Sequence, residues 1–354
     1  PTNNLRGFIW VFHVIFLNLS RQNKQVKRNI SNIFKIILPL LLGGAILYWM
    51  YRGFDFHKVN DVLFHQMNWT WMILSFPFGI LAQAFRGWRW QQTLAPMHEY
   101  PRRKTTVYAV FLSYAVSLIV PRMGEFTRCG VLKHYDGVSF PKAIGTVVTE
   151  RIIDSLLVLL IAGITFLSQI PVFMRFFAKT GTRIDTFLTN FSAAGWAVTF
   201  ICGAAVFLLV YYLYRRLAVT SKIKSTVNSV WQGIVSLRNV RNVPLFLCYT
   251  LGIWASYFLH YYLTFFCFTA TASLSFSCAM VTFIVGSIAV IVPTPNGAGP
   301  WHFAVKTMLM LYGVAEFAAL NFVLIVHSIQ TLLVVAMGIY AWIALLFMKR
   351  RQSK

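Results

Sequence analysis

A chain of 354 residues that is 58% apolar, 16% aromatic and only 12% charged has too few polar side chains to clothe a soluble domain, and it reads as a polytopic membrane protein. Its 32 Lys and Arg against 9 Asp and Glu give a formal charge of +23. In a soluble protein that excess would point to nucleic acid; here the cations fall between apolar runs, so no nucleic-acid partner is expected.

In chain order, the first feature is Phe8 to Leu19, an apolar stretch bounded by Arg6 and Arg21 and too short to span a bilayer. It is either an interfacial helix or a leader, and a sequence that begins at Pro1 without Met leaves the true start open. Residues 1–32 read as a cytoplasmic or interfacial segment. Six runs then have the length and apolarity of full helical spans: Ile33 to Tyr51, Thr70 to Trp90, Ala143 to Ser168, Phe191 to Tyr214, Leu245 to Thr269 and Ala318 to Met348. Lys and Arg concentrate from the start through Lys35, from Arg86 to Lys104, from Arg122 to Lys142, from Arg215 to Arg241, and in the basic tail 349–354. The intervening loops, Arg52 to Trp69 and Pro171 to Asn190, are poor in them, so positive-inside bias puts both termini in the cytoplasm. The Trp/Arg run Arg86-Gly87-Trp88-Arg89-Trp90 reads as an anchor at that interface. Cys129, Cys202, Cys248, Cys267 and Cys278 form neither a disulfide framework nor a zinc spacing, and no metal or cofactor is expected.

Between the spans lies an internal echo. Leu118-Ile119-Val120-Pro121-Arg122-Met123-Gly124-Glu125 returns as Val290-Ile291-Val292-Pro293-Thr294-Pro295-Asn296-Gly297. Each copy is an apolar helical run broken by Pro and Gly at membrane depth, and a broken helix in lipid must line a cavity or pack inside protein. The flanking spans repeat at nearly the same offset. The chain therefore divides into a first repeat, 33–190, with a re-entrant hairpin near 105–135, and a second, 191–348, with a re-entrant hairpin near 277–313. A first hairpin entered from the cytoplasm and a second entered from outside give the halves opposite topology. The expected fold is all-α, with about six full spans plus two broken hairpins in an inverted-topology repeat; the plainer alternative is ordinary spans with proline kinks.

Four of the acidic residues, Glu125, Glu150, Asp154 and Glu316, lie in or beside the apolar runs. Counted from Pro141, Glu150 and Arg151 sit roughly 14 Å into the bilayer, where a charge must be paired or face water. Helical spacing aligns Glu150, Arg151 and Asp154 along one side, and the two carboxylates need a further cation. Arg122 and Arg128 in the first hairpin offer it, with Glu125 between them. These six residues read as a buried network that could grip an anionic headgroup, or that only pins the hairpin. The second hairpin contributes backbone freedom at Gly297 and Gly299 and the polar side chains Asn296, His302 and Lys306. His260 and His327 lie within spans as candidate helix bridges.

The stretch from Val120 to Arg128, then Gly137-Val138-Ser139, Glu150-Arg151-Ile152-Ile153-Asp154 and Pro293 to Gly299, resembles the lysylphosphatidylglycerol synthase transmembrane, or flippase-like, family over about Ile33 to Met348. The resemblance implies a lipid flippase of the bacterial inner membrane. It also implies a stand-alone member, since the chain stops at Lys354 where the bifunctional synthases carry an aminoacyl-transferase domain. Asn296 stands where relatives commonly have Gly. The function so implied is movement of an anionic or aminoacylated lipid, or a polyprenyl phosphate, with a membrane lipid as partner. The alternatives are a membrane-embedded lipid-phosphate transferase or hydrolase, for which no catalytic motif is present, and a membrane partner of a separately encoded lipid synthase. The oligomeric state is not legible.

Overall fold

The computed structural model describes residues 37–170, 240 and 242–351, and these residues form helices and turns without a strand. The helices are α1 (Ile37–Tyr51), α2 (His57–Asp61), α3 (Trp69–Leu94), α4 (Arg103–Ile119), α5 (Met123–Asp136), α6 (Phe140–Ser168), α7 (Val243–Tyr262), α8 (Thr269–Ala272), α9 (Phe276–Ala289), α10 (Pro300–Leu311) and α11 (Glu316–Leu346). Their starts carry local signals. Asn68 and Asn242 accept from Thr70 and Leu245 N–H to cap α3 and α7, and Ser275 accepts from Cys278 N–H to cap α9.

Four expected spans match α3, α6, α7 and α11, and the run ending at Tyr51 appears as α1. The expected span Phe191 to Tyr214, the segment Phe8 to Leu19, the loop Pro171 to Asn190 and the basic stretch from Arg215 lie outside the described residues. Among the described residues three helices are long and apolar enough to cross a membrane: Phe140–Ser168, Val243–Cys267 (α7 with its 3-10 extension) and Glu316–Leu346. The 26-residue α3 is absent from that group because Gln83, Arg86, Arg89, Gln91 and Gln92 make its second half too polar. By contrast, Leu156, Leu159, Leu160, Ile164 and Leu167 of α6 are exposed, forming an apolar face of the kind lipid covers.

Both expected breaks are present. α4 ends at Ile119, the chain turns through Val120–Arg122 with Arg122 left-handed (φ 65°), and α5 starts at Met123. The second break opens a longer loop between α9 and α10, with Asn296 at φ 51° and Gly297 at φ 73°. Asn is the non-glycine residue best suited to that region, so it can occupy a position where Gly would be at home.

Packing follows a paired pattern. α4 lies on α5 and α9 on α10; α4 also lies on α11 and α9 on α6; α3 meets α4 as α7 meets α9; α5 meets α6 as α10 meets α11; and α3 packs on α7. Small residues permit the closest crossings. A Cβ on Gly124 would collide with the Ser113 carbonyl oxygen, and one on Gly338 with the Ala115 Cβ. The largest core cluster stacks Phe258, Tyr261, Phe265 and Phe322 between α7 and α11.

Candidate functional site

Helices α3, α5 and α6 converge on a buried set of opposite charges. Asp154 of α6 accepts from Arg86 Nη1 at 2.7 Å through one carboxylate oxygen, and its other oxygen lies 2.8 Å from Arg89 Nη1. Glu150, one turn earlier, accepts from Arg128 Nη1 of α5 at 2.8 Å and has Arg89 Nε at 3.8 Å. Arg128 also donates to Glu125 at 2.8 Å through Nε, and the other oxygen of Glu125 takes Arg151. The chain of contacts thus runs Arg86, Asp154, Arg89, Glu150, Arg128, Glu125, Arg151.

Arg89 and Glu150 are fully buried and Arg128 nearly so, whereas Arg151 is half-exposed. Four guanidiniums face three carboxylates, so the network carries one excess positive charge. Aromatic side chains enclose it. The Arg128 guanidinium sits 4.7 Å from the Trp90 ring centre, Trp90 Nε1 donates to Thr146 at 2.9 Å, and Arg86 lies over Tyr257, whose hydroxyl donates to Tyr114 at 3.1 Å.

Of the residues singled out from sequence, Glu125, Arg128, Glu150, Arg151 and Asp154 come together here. Arg151 pairs with Glu125 across helices rather than with Asp154 on its own helix. Arg122 stands apart and donates to the Ile291 carbonyl of the second break at 3.1 Å, tying the two hairpin tips together. It meets Glu125 and Arg151 in a groove of about 520 Å3 whose other walls are Phe126, Ile144, Val147, Val148, Ile152, Ser155 and Leu156.

Arg86 and Arg89 were the omission. Read as interface anchors, they are instead the further cations that Glu150 and Asp154 require. The signal was present: Gln83, Arg86 and Arg89 follow helical spacing on the side of α3 that ends buried.

At the second break, Asn296, Gly297, Gly299 and His302 do cluster. Gly299 N–H donates to His302 Nδ1 at 3.4 Å, and the His302 ring lies 4.4 Å from that of His327, centre to centre. His327 bridges α11 to the break through Nε2 and the Asn296 carbonyl (3.1 Å), and His260 bridges α7 to α3 through Nδ1 and the Ser75 carbonyl (2.8 Å). Lys306 does not join this group; it pairs with Glu316 at the start of α11.

No curated protein and no solved structure matches this chain. Residues 36–338 match the family described as the lysylphosphatidylglycerol synthase TM region, which takes in both breaks and the whole charged network. The chain therefore belongs to that family of membrane proteins, the transmembrane region of lysylphosphatidylglycerol synthase.

Proposed function

We propose that this protein moves a lipid with an anionic headgroup across the bacterial inner membrane, with both termini cytoplasmic and without catalysing a reaction of its own. The observation that carries the reading is the groove where the apolar wall of α5 and α6 runs up to Arg122, Glu125 and Arg151. An acyl chain can lie against Phe126, Val148 and Ile152 while a phosphate reaches two guanidiniums, one of them already balanced by Glu125. Behind this entrance the network offers an alternating series of cations and carboxylates with net positive charge, so a phosphate can exchange for a carboxylate without leaving a guanidinium unpaired. A charge transfer of that kind avoids the cost of an isolated ion in hydrocarbon.

The paired packing supports an inverted repeat built from re-entrant hairpins: the contacts α3–α4, α4–α5, α5–α6 and α4–α11 have counterparts in α7–α9, α9–α10, α10–α11 and α9–α6, whereas the close contact of α3 with α6 at the charged network belongs to the first set alone. The hairpin tips meet through Arg122 and Ile291, where the midplane of such a repeat would lie.

The test is lipid equilibration in proteoliposomes containing headgroup-labelled phosphatidylglycerol, comparing wild type with Arg151→Gln and Arg122→Gln. These residues are exposed enough for substitution without collapse of the buried network. Faster exchange in wild type, lost in both folded variants, is the expected result. Equal exchange in wild type and variants, or none in wild type with any lipid supplied, would refute the proposal.

A further inference from the structure

Two imidazoles lie against each other at the second break. The rings of His302 on α10 and His327 on α11 are 4.4 Å apart, centre to centre, and both line a cavity of about 1030 Å3 between α1, the loop before α10, and α11. At 1.5 Å per residue His327 lies roughly 16 Å along α11 from its start, a depth at which a charge must be paired or face water.

Hydrogen bonds fix which ring nitrogens carry hydrogen. The Asn296 carbonyl only accepts, so His327 Nε2, 3.1 Å away, is an N–H. Its Nδ1 then keeps a lone pair, with Thr331 Oγ1 one turn along the helix at 3.5 Å. Gly299 N–H only donates, so His302 Nδ1, 3.4 Å away, is a bare acceptor. Both rings are neutral in this arrangement, and they differ in what a further proton would do. On His302 Nδ1 it would confront the Gly299 N–H and unseat the start of α10. On His327 Nδ1 it would point at the Thr331 hydroxyl, which has two acceptor lone pairs; Asn296 Nδ2 fills one at 2.8 Å and the other can take the new hydrogen. The Trp301 ring, centred 5.1 Å from that of His327, presents a π system to the resulting cation.

The surroundings limit the site to one proton. A second imidazolium so close to the first would be repelled, and Arg52 in the cavity wall adds to that repulsion. Among the other titratable or charged neighbours, Tyr51 of α1 donates to the Leu320 carbonyl at 3.3 Å, Lys306 one turn beyond His302 is paired with Glu316, and Arg122 of the first hairpin tip holds the Ile291 carbonyl. From the remaining neighbours, α4 brings Leu118, α9 brings Gly286 under the Trp301 indole, and α7 brings Tyr261 against the same ring.

We infer that His327, set among His302, Thr331 and Trp301, is a proton-binding site: it takes one proton from cavity water onto Nδ1 and so charges the second break. The inference rests on the lipid-transport reading and names its driving force, a proton gradient. With both termini cytoplasmic, as proposed, the cavity mouth at Arg52 faces outside, the acid side of an energised membrane. Asn296 and Trp301 belong to the break and to α10, whereas His327 and Thr331 belong to α11. The proton is therefore held while the break is seated on α11 and loses its partners when the two separate. That difference in affinity is what coupling to a conformational change requires.

The test is proton binding read through Trp301 in the full chain purified in detergent, since an imidazolium against an indole quenches its emission. A Trp301→Phe variant isolates this signal from that of the other tryptophans. On acidification the wild type should lose Trp301 emission in a single one-proton step. His327→Gln should abolish the step and His302→Gln should keep it. Thr331→Val should weaken proton binding about tenfold, the worth of a hydrogen bond to a charged group, and Thr331→Ser should restore it. No step in wild type, or a step that survives His327→Gln, overturns the site even if the other variants fail to fold. Proteoliposomes with the membrane potential clamped then test the coupling. At one proton per lipid, a gradient of one pH unit should drive labelled lipid to a leaflet ratio approaching about tenfold in wild type, and His327→Gln should leave it evenly distributed. Even distribution by a wild type that shows the step overturns the coupling. Lipid exchange without the step refutes the proton site and leaves transport standing; the step without exchange, with or without a gradient, refutes transport and leaves the site standing.

Discussion

Replacing Asp154 with Asn removes one of three carboxylates that hold four buried or half-buried guanidiniums, and it raises the network's net charge from one positive to two. Each Asp154 oxygen serves a different arginine, Arg86 at 2.7 Å and Arg89 at 2.8 Å, and both arginines are inaccessible to water. Glu150 Oε1 lies 3.8 Å from Arg89 Nε, beyond hydrogen-bond distance, and the Glu150 charge is already counted against Arg128, so it adds no new charge to offset the loss. Removing one partner from such a buried pair costs about 3–5 kcal/mol. At about 2 °C per kcal/mol for a chain of this size, the melting temperature in detergent should fall by about 6–10 °C. The double variant Arg86→Met, Asp154→Asn restores the single excess charge and fills the vacated space with an apolar side chain. Its melting temperature should lie above that of Asp154→Asn alone, although a second residue has been altered. A thermal-shift series over wild type, both single variants and the double variant measures the coupling. If Asp154→Asn melts within 1 °C of wild type, or if the double variant falls by the sum of the singles, the network is not the energetically coupled unit described here.

Three further substitutions test the packing. Gly124→Ala should cost about 1–3 kcal/mol, because the added Cβ would meet a backbone oxygen that cannot move aside; thermal unfolding identical to wild type would disprove the close crossing of α4 and α5. Thr146→Val leaves the buried Trp90 indole N–H without its acceptor and should destabilise by about 1–3 kcal/mol, an effect that should vanish when Trp90 is already Phe. Exchanging the charges of Lys306 and Glu316 should change stability by less than about 1 kcal/mol, because Glu316 is largely exposed; a large loss by the same assay would place Lys306 in a role beyond this pair.

Much of the architecture was legible because hydrocarbon imposes simple rules. The breaks at Pro121 and Pro293, the helices on either side of them and the spans at α6, α7 and α11 follow from apolar length and from the two breakers. The acidic half of the network was equally legible, since a carboxylate at membrane depth is too rare to be incidental. The basic half was not. Arg86 and Arg89 sit beside Trp88 and Trp90 at the end of a span, a composition equally suited to an interfacial belt, and only the approach of α6 to α3 shows that they point inward. Likewise Arg151 could pair along its own helix or across to α5, and the choice depends on how α5 crosses α6. His327 could be placed within a span but not given a partner, because the Asn296 carbonyl becomes available only in the left-handed turn of the second break.

The packing of early helices on late ones has a consequence for biosynthesis. α4 is covered by α11 and α6 by α9, so the helices up to α6 cannot complete their packing when they leave the ribosome. Nearly 200 residues separate the end of α4 from the start of α11, which at about 5–20 residues per second is a delay of roughly 10–40 s. Through that interval the face of α4 that will receive Gly338 must be shielded by lipid or by an insertion factor. Ribosomal stalls placed after α7, and the same chain supplied as two co-expressed halves, would therefore differ in how much protein reaches the folded state, and the halves should recover function only when made together.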